Sequence, residues 1–110
     1  MTIRFNVPTA NLPGRLADAE LHFGPTDGPL DGLKLIGFGI WERPNRTARN
    51  VTFPARQYAV NGERRSFALL RPIVDISANE RLRDLILTAF AKYEQEAQEA
   101  RTEEPQTMNG

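Results

Sequence analysis

Between residues 42 and 71 seven arginines, Arg43, Arg46, Arg49, Arg56, Arg64, Arg65 and Arg71, face only two carboxylates, Glu42 and Glu63. A guanidinium stays charged at any ordinary pH and presents a planar fork of donors that fits two phosphate oxygens at once. The chemistry open to this stretch is therefore the binding of a polyanion. Residues 94–110 carry the opposite sign, with Glu94, Glu96, Glu99, Glu103 and Glu104 against Arg101. The formal net charge of zero, from 14 Lys+Arg and 14 Asp+Glu, hides this division. A basic middle beside an acidic end suits a polyanion-binding body whose tail solvates it or competes for its arginines. A solvated surface with locally averaged charge has the same composition.

Other chemistries find little support. The chain has no cysteine and a single histidine, so zinc ribbons, Cys-His nucleophiles and redox pairs are excluded. That histidine, His22, falls on the polar side of an alternating segment and reads as a surface residue. Acid-base catalysis needs two groups held at reacting distance, and the scattered carboxylates propose no such pair. The reading is non-enzymatic, with no cofactor. Tyr58 and Tyr93 read as core or edge aromatics. Trp41 could stack on a base of a single strand, but a strand-end tryptophan packed under a loop is the commoner arrangement. Asp27 and Asp31 lack the regular oxygen spacing of a calcium loop, and Gly37 and Gly39 have neither a third glycine nor a following helix to make a dinucleotide fingerprint. The first residues lack the apolar run of a signal peptide, and no window is long enough to span a membrane. The expected location is the cytoplasm, so the triplets Asn45-Arg46-Thr47 and Asn50-Val51-Thr52 read as chance matches to a glycosylation signal.

The elements that position the arginines follow from periodicity. Ile3, Phe5 and Val7 alternate in a short first strand. Ala17, Ala19, Leu21 and Phe23 alternate with Asp18, Glu20 and His22 in a second. Residues 24–32 are dense in Gly, Pro and Asp and form a connector. Residues 33–41 are apolar on both parities, with Leu33, Leu35 and Trp41 opposite Ile36, Phe38 and Ile40, which predicts a central strand buried on both faces. Residues 42–50 form an exposed arginine loop. Asn61-Gly62 is a strong hairpin signal, so residues 51–58 and 64–72 form the two arms of a β-hairpin, with Pro54 at an edge or bulge. Ser77-Ala78-Asn79-Glu80 matches a capping box. The helix it opens carries Leu82, Leu85, Ile86, Ala89, Phe90, Tyr93 and Ala97 on one face, to pack on the sheet. Beyond about residue 100 no apolar pattern remains, and disorder is expected. The division is thus a domain over residues 1–93, then an acidic helix end and tail over 94–110.

Phe53-Pro54-Ala55-Arg56, the Asn61-Gly62-Glu63 turn, Ala68-Leu69-Leu70-Arg71-Pro72-Ile73 and the helix that follows occur in the order of a known set. Over residues 17–94 the chain resembles the family of stage V sporulation protein G, small bacterial nucleic-acid-binding regulators. Its loops at 24–32 and 42–50 look longer than the family's, and Arg71 stands where the family usually has histidine. The resemblance implies an α+β domain, in which a small antiparallel sheet with the hairpin packs against one C-terminal amphipathic helix. It also implies a homodimer built through sheet edges, and DNA binding with RNA binding beside it. The phosphate contacts would come from Arg56, Arg64 and Arg65 of the hairpin, Arg46 and Arg49 of the loop, and Arg71. The competing expectation is a protein-interaction module that dimerises through exposed strand edges.

Overall fold

A computed structural model of the chain describes residues 1–43 and 48–108, with side chains followed to residue 100. The fold is α+β, as the resemblance implies. Strands β1 (Thr2–Asn6), β2 (Arg15–His22), β3 (Lys34–Glu42) and β4 (Arg49–Thr52) form an antiparallel meander in the order β1-β2-β3-β4. Strands β5 (Ala55–Val60) and β6 (Glu63–Ala68) form a separate two-stranded hairpin, and the helix α1 (Ser77–Met108) follows. The connector between β2 and β3 takes a 3-10 turn over Pro25–Leu30. Among the described residues, no helix is long and apolar enough to cross a membrane.

The period-two pattern of β2 sends Ala17, Ala19 and Leu21 inward, where they join Phe38 and Ile40 of β3, Val51 of β4 and Ile86 and Phe90 of α1 in one core. Small side chains on β2 let the helix come close, while Phe38, Ile40 and Ile86 fill the space between and are wholly buried. Phe5 on β1 meets the Phe90 ring at 5.2 Å and the Tyr93 ring at 5.3 Å between centroids. One helix thus covers one face of the four-stranded sheet.

The burial of β3 differs from the expectation. Ala19 pairs with Phe38 but Leu21 pairs with Leu35, so an irregularity in the register carries the inward parity from Leu35 to Phe38 and Ile40. Gly37 takes φ +107°, a backbone state that other residues rarely adopt. Ile36, expected in the core with Phe38, is 59% exposed. The opposite face of the strand is covered by a guanidinium in place of apolar packing: a Cβ on Gly39 would lie 2.5 Å from the Arg15 guanidinium carbon.

The hairpin also begins later than its alternation suggests. Val51 and Thr52 belong to β4 and pair with Ile40 and Gly39, so the first arm starts at Ala55, beyond Pro54, whose missing N–H ends the ladder. The second arm stops at Ala68, short of Pro72. Phe53 packs edge-on against Phe38 with centroids 5.4 Å apart, and Leu70 is partly buried against the core. These two side chains anchor the base of the hairpin, where the Leu69 N–H donates to the Pro54 carbonyl at 3.0 Å. Every residue of β5 and β6 beyond that base is exposed. The radius of gyration, 17.1 Å, exceeds the roughly 13 Å of a compact chain of this length, in keeping with a hairpin and a long helix that project from the sheet.

Two features of α1 depart from the capping-box and stripe readings. The cap is supplied by Asp75: its Oδ1 accepts from the Ser77 N–H at 2.8 Å and from the Ser77 hydroxyl. Ser77 Oγ instead accepts from Arg81 at 3.0 Å. Leu87 packs against the core, whereas Leu85 points out. The helix also runs on to Met108, past the end of its apolar face. Glu, Gln, Ala and Arg dominate residues 94–104 and are strong helix formers, so local propensity continues the helix there where packing has stopped, and the last turn runs on past Pro105 against its propensity.

Two outcomes follow for stability. Ile86→Ala, which empties a fully buried site, lowers the unfolding free energy by about 3 kcal/mol in urea titration, and Leu85→Ala changes it little. The hydrogen bonds from Ser77 hold the Asp75 carboxyl below its ordinary value. A carboxylate so depressed stabilises the fold above its unfolded pKa and loses that contribution as pH falls through its folded one. Asp75→Asn therefore flattens the acid limb of stability measured between pH 5 and pH 2, a window set by an ordinary Asp pKa of about 3.9.

Candidate nucleic-acid interface

The hairpin turn is the Asn61-Gly62 pair, at φ +52° and +83°, as a type I′ connection requires. It fixes the register Arg56↔Phe67, Gln57↔Ser66, Tyr58↔Arg65, Ala59↔Arg64 and Val60↔Glu63. Because side chains alternate across a strand, that register sorts the hairpin into two faces. One carries Arg56, Tyr58, Val60, Glu63, Arg65 and Phe67. The other carries Ala55, Gln57, Ala59, Arg64, Ser66 and Ala68.

The first face has two aromatic rings set among cations, and both rings are open: Tyr58 is 40% and Phe67 49% exposed. Arg71, just past the end of β6, joins it. Its Nε donates to the Ala68 carbonyl at 2.8 Å, and its guanidinium lies 4.0 Å from the centroid of the Phe67 ring. Arg56, Gln57, Tyr58, Phe67 and Leu69 line a wide, open hollow of about 510 Å³. Arg65 makes a long contact with Glu63, 3.3 Å between two largely exposed side chains, a kind of pair that holds a guanidinium only loosely. Among the described residues, Arg56, Arg64 and Arg71 form no salt bridge.

The sequence-predicted arginines therefore part company. Arg56, Arg65 and Arg71 share one face, and Arg64 lies on the other, although Arg64 and Arg65 are neighbours in sequence. Arg46 falls among residues 44–47, outside those described. Arg49 is not a loop residue: it sits on β4, and Nη1 and Nη2 both donate to the Glu94 carboxylate, the second at 3.0 Å. Its guanidinium also lies 5.3 Å from the centroid of the Phe90 ring. The Glu94 hydrogen bonds raise the Arg49 pKa above its ordinary value. The first acidic residue of the tail thus binds a sheet arginine and clamps α1 to β4.

Other cations are committed in the same way. Arg15 donates to Asp18 through Nε at 3.0 Å and Nη2 at 2.6 Å and lies 4.8 Å from the Trp41 centroid. Burial opposes the charge on Asp18, but the Thr9 N–H and Arg15 outweigh it and keep the carboxyl below its usual range. Trp41, on the same outer sheet face, donates its indole N–H to Thr52 Oγ1 at 2.9 Å. His22 stands at the surface with Nε2 2.7 Å from Glu20 Oε1. Among the described residues no cluster of His, Asp and Glu is placed to hold a metal.

Sequence reasoning took Tyr58 for a core or edge aromatic and did not single out Phe67. Their signal was the pair of i, i+2 repeats, Arg56-Gln57-Tyr58 and Arg65-Ser66-Phe67, which the two-residue turn lays side by side on one face. No protein-family model, curated protein or solved structure matches the chain.

The clamp makes its own prediction. In a double-mutant cycle, Arg49→Ala and Glu94→Ala couple by about 1 kcal/mol, the upper end for a partly exposed, bidentate pair. Arg49→Ala leaves polyanion affinity within about twofold, as expected when a guanidinium already held by a carboxylate adds little to counterion release.

Proposed function

We propose that the chain is a dimeric DNA-binding regulatory protein, with RNA as the second polyanion it takes, and that its hairpin supplies the phosphate contacts. One observation carries this reading: the hairpin projects from the core with every residue exposed and presents Arg56, Arg64, Arg65 and Arg71 against a single carboxylate, Glu63. A protruding ribbon with that excess of guanidinium attracts phosphate without first breaking strong internal ion pairs. The order of motifs shared with the stage V sporulation protein G family supports the same conclusion.

The dimer rests on apolar surface. Ile73 is 99% and Val74 91% exposed, with Leu69 and Ile76 also open beside them. A contiguous apolar stretch of this kind marks an interaction surface. An isolated two-stranded hairpin is itself marginal in water. A second copy that covers residues 69–76 or pairs with an open strand edge would relieve both deficits.

Fluorescence anisotropy with labelled DNA and RNA at several salt concentrations, with light scattering on the same sample, tests the reading. The expected result is a dimer whose affinity falls steeply with salt. Arg56→Ala combined with Arg65→Ala weakens binding by about tenfold and lowers the slope of log affinity against log salt by about two, whereas Arg64→Ala alone acts more weakly. Unchanged binding by the folded double variant overturns the hairpin assignment. Absence of binding at low salt overturns the function.

A further inference from the structure

We infer that the Tyr58–Phe67 face of the hairpin is a stacking platform for unpaired bases, so that the protein selects single-stranded over double-stranded nucleic acid. The inference rests on the phosphate-binding reading above and names the form of polyanion that the same surface takes.

Phosphate binding requires cations and nothing else, and a duplex offers its phosphates with its bases already stacked inside. Aromatic rings on a duplex-binding ribbon would meet base edges, thymine methyls, sugar and phosphate, but not the faces of the stacked bases. Here the Tyr58 ring stands open among three arginines, and the Phe67 ring, 49% exposed, already carries Arg71 against one face. On a surface strand a tyrosine and a phenylalanine each lose by contact with water unless something covers them. The faces of unpaired bases fit that need, because every base has a π surface and stacks without regard to sequence.

The spacing suits successive nucleotides. Tyr58 lies opposite Arg65 and Phe67 opposite Arg56, so the two aromatic residues are diagonal neighbours on one face, about 7–8 Å apart. That separation matches two bases splayed along an extended strand, and is too wide for the roughly 3.4 Å step of a stacked duplex strand. Each ring is flanked across the ladder by a guanidinium, which places a phosphate contact beside each base. Arg71 adds a second flat surface: fixed through Nε to the Ala68 carbonyl and layered on Phe67 at 4.0 Å, it offers its outer face to a base as guanidinium planes do in single-strand recognition. The open hollow of about 510 Å³ lined by Arg56, Gln57, Tyr58, Phe67 and Leu69 has room for a flexible strand.

The test compares labelled single-stranded DNA, single-stranded RNA and a duplex of equal length by anisotropy with the full chain. The wild type is expected to bind at least one single strand about tenfold or more tightly than the duplex, and the DNA and RNA arms show which source of unpaired bases it prefers. Tyr58→Ala is expected to reduce single-strand affinity by about tenfold, the loss of one stacked base, with the salt slope unchanged because no phosphate contact is removed. Tyr58→Phe keeps wild-type affinity, since the ring and not the hydroxyl is used. In wild-type protein, irradiation with a 5-iodouracil-substituted strand is expected to crosslink Tyr58 or Phe67, identified by peptide mass spectrometry, which makes the conclusion independent of how the alanine variant folds. Equal affinity for duplex and single strands, or crosslinks confined to residues outside the hairpin, overturns the stacking platform and leaves salt-dependent phosphate binding standing. Failure to bind any of the three at low salt overturns the function itself.

Discussion

The seating of α1 on the four-stranded sheet is the constraint on which the rest of the molecule depends. Ile86 and Phe90 close the space over Phe38 and Ile40, and the Phe90 turn is held from both sides of the sheet, by Phe5 of β1 and by Arg49 of β4. Apolar burial supplies the driving force but little direction. Direction is added by the bidentate Arg49–Glu94 pair, which ties one turn of the helix to β4. A ring contact at one edge of the sheet and an ion pair at the other therefore add to the packing of Ile86 and Phe90 in holding the helix in place.

A single helix has only enough apolar surface for one sheet face, and the consequences of that shortage are visible elsewhere. The outer face of the sheet is finished with polar material: the Arg15 guanidinium lies over Gly39 and Trp41 and is held by Asp18. Glycine at position 39 is required for that cover, because any side chain there would occupy the space the guanidinium fills. The hairpin receives no cover at all. It is tied to the core by Phe53 and Leu70 and otherwise lies outside it, so its side chains are released from packing and can be chosen for recognition.

Much of this was legible in the residues. The alternation of Ala17, Ala19 and Leu21, the Asn61-Gly62 turn and the stripe through Ile86 and Phe90 each name an element and its inward face. What periodicity could not convey is where a pattern is interrupted. The parity change at Ile36 and Gly37 comes from a register irregularity between β2 and β3, a property of two strands that neither displays alone. Pro54 signals a break in the ladder, but only the pairing of Val51 with Ile40 reveals that the residues before it belong to another sheet. Asp75, whose carboxylate accepts from the Ser77 N–H and hydroxyl, caps the helix in place of Ser77, a choice between two good capping residues that composition leaves open. The partition of the arginines was equally hidden. Arg49 lies among candidate phosphate ligands in sequence, and its partner, Glu94, lies 45 residues away.

That partition decides what the charge asymmetry means. Counted along the chain, the middle is basic and the end acidic, which invites a tail that folds back over every arginine. In space the two sets meet at one described point, Arg49 with Glu94, and the contact strengthens the core without masking the hairpin. Arg15 is likewise consumed by Asp18. With Arg15 and Arg49 set aside, Arg56, Arg64, Arg65 and Arg71 stand together on the hairpin or just beyond it, all exposed, whereas the exposed Arg4 and Arg43 lie singly on β1 and past the end of β3. The guanidinium serves both purposes through the same planar fork: met by a carboxylate in the protein it becomes a clamp, and left unmet on a projecting ribbon it keeps its capacity for an oxyanion from outside. The hairpin's distance from the core, which weakens it as a piece of structure, is what leaves its arginines with no buried carboxylate: Arg65 has only the exposed Glu63, and Arg71 a carbonyl and a ring.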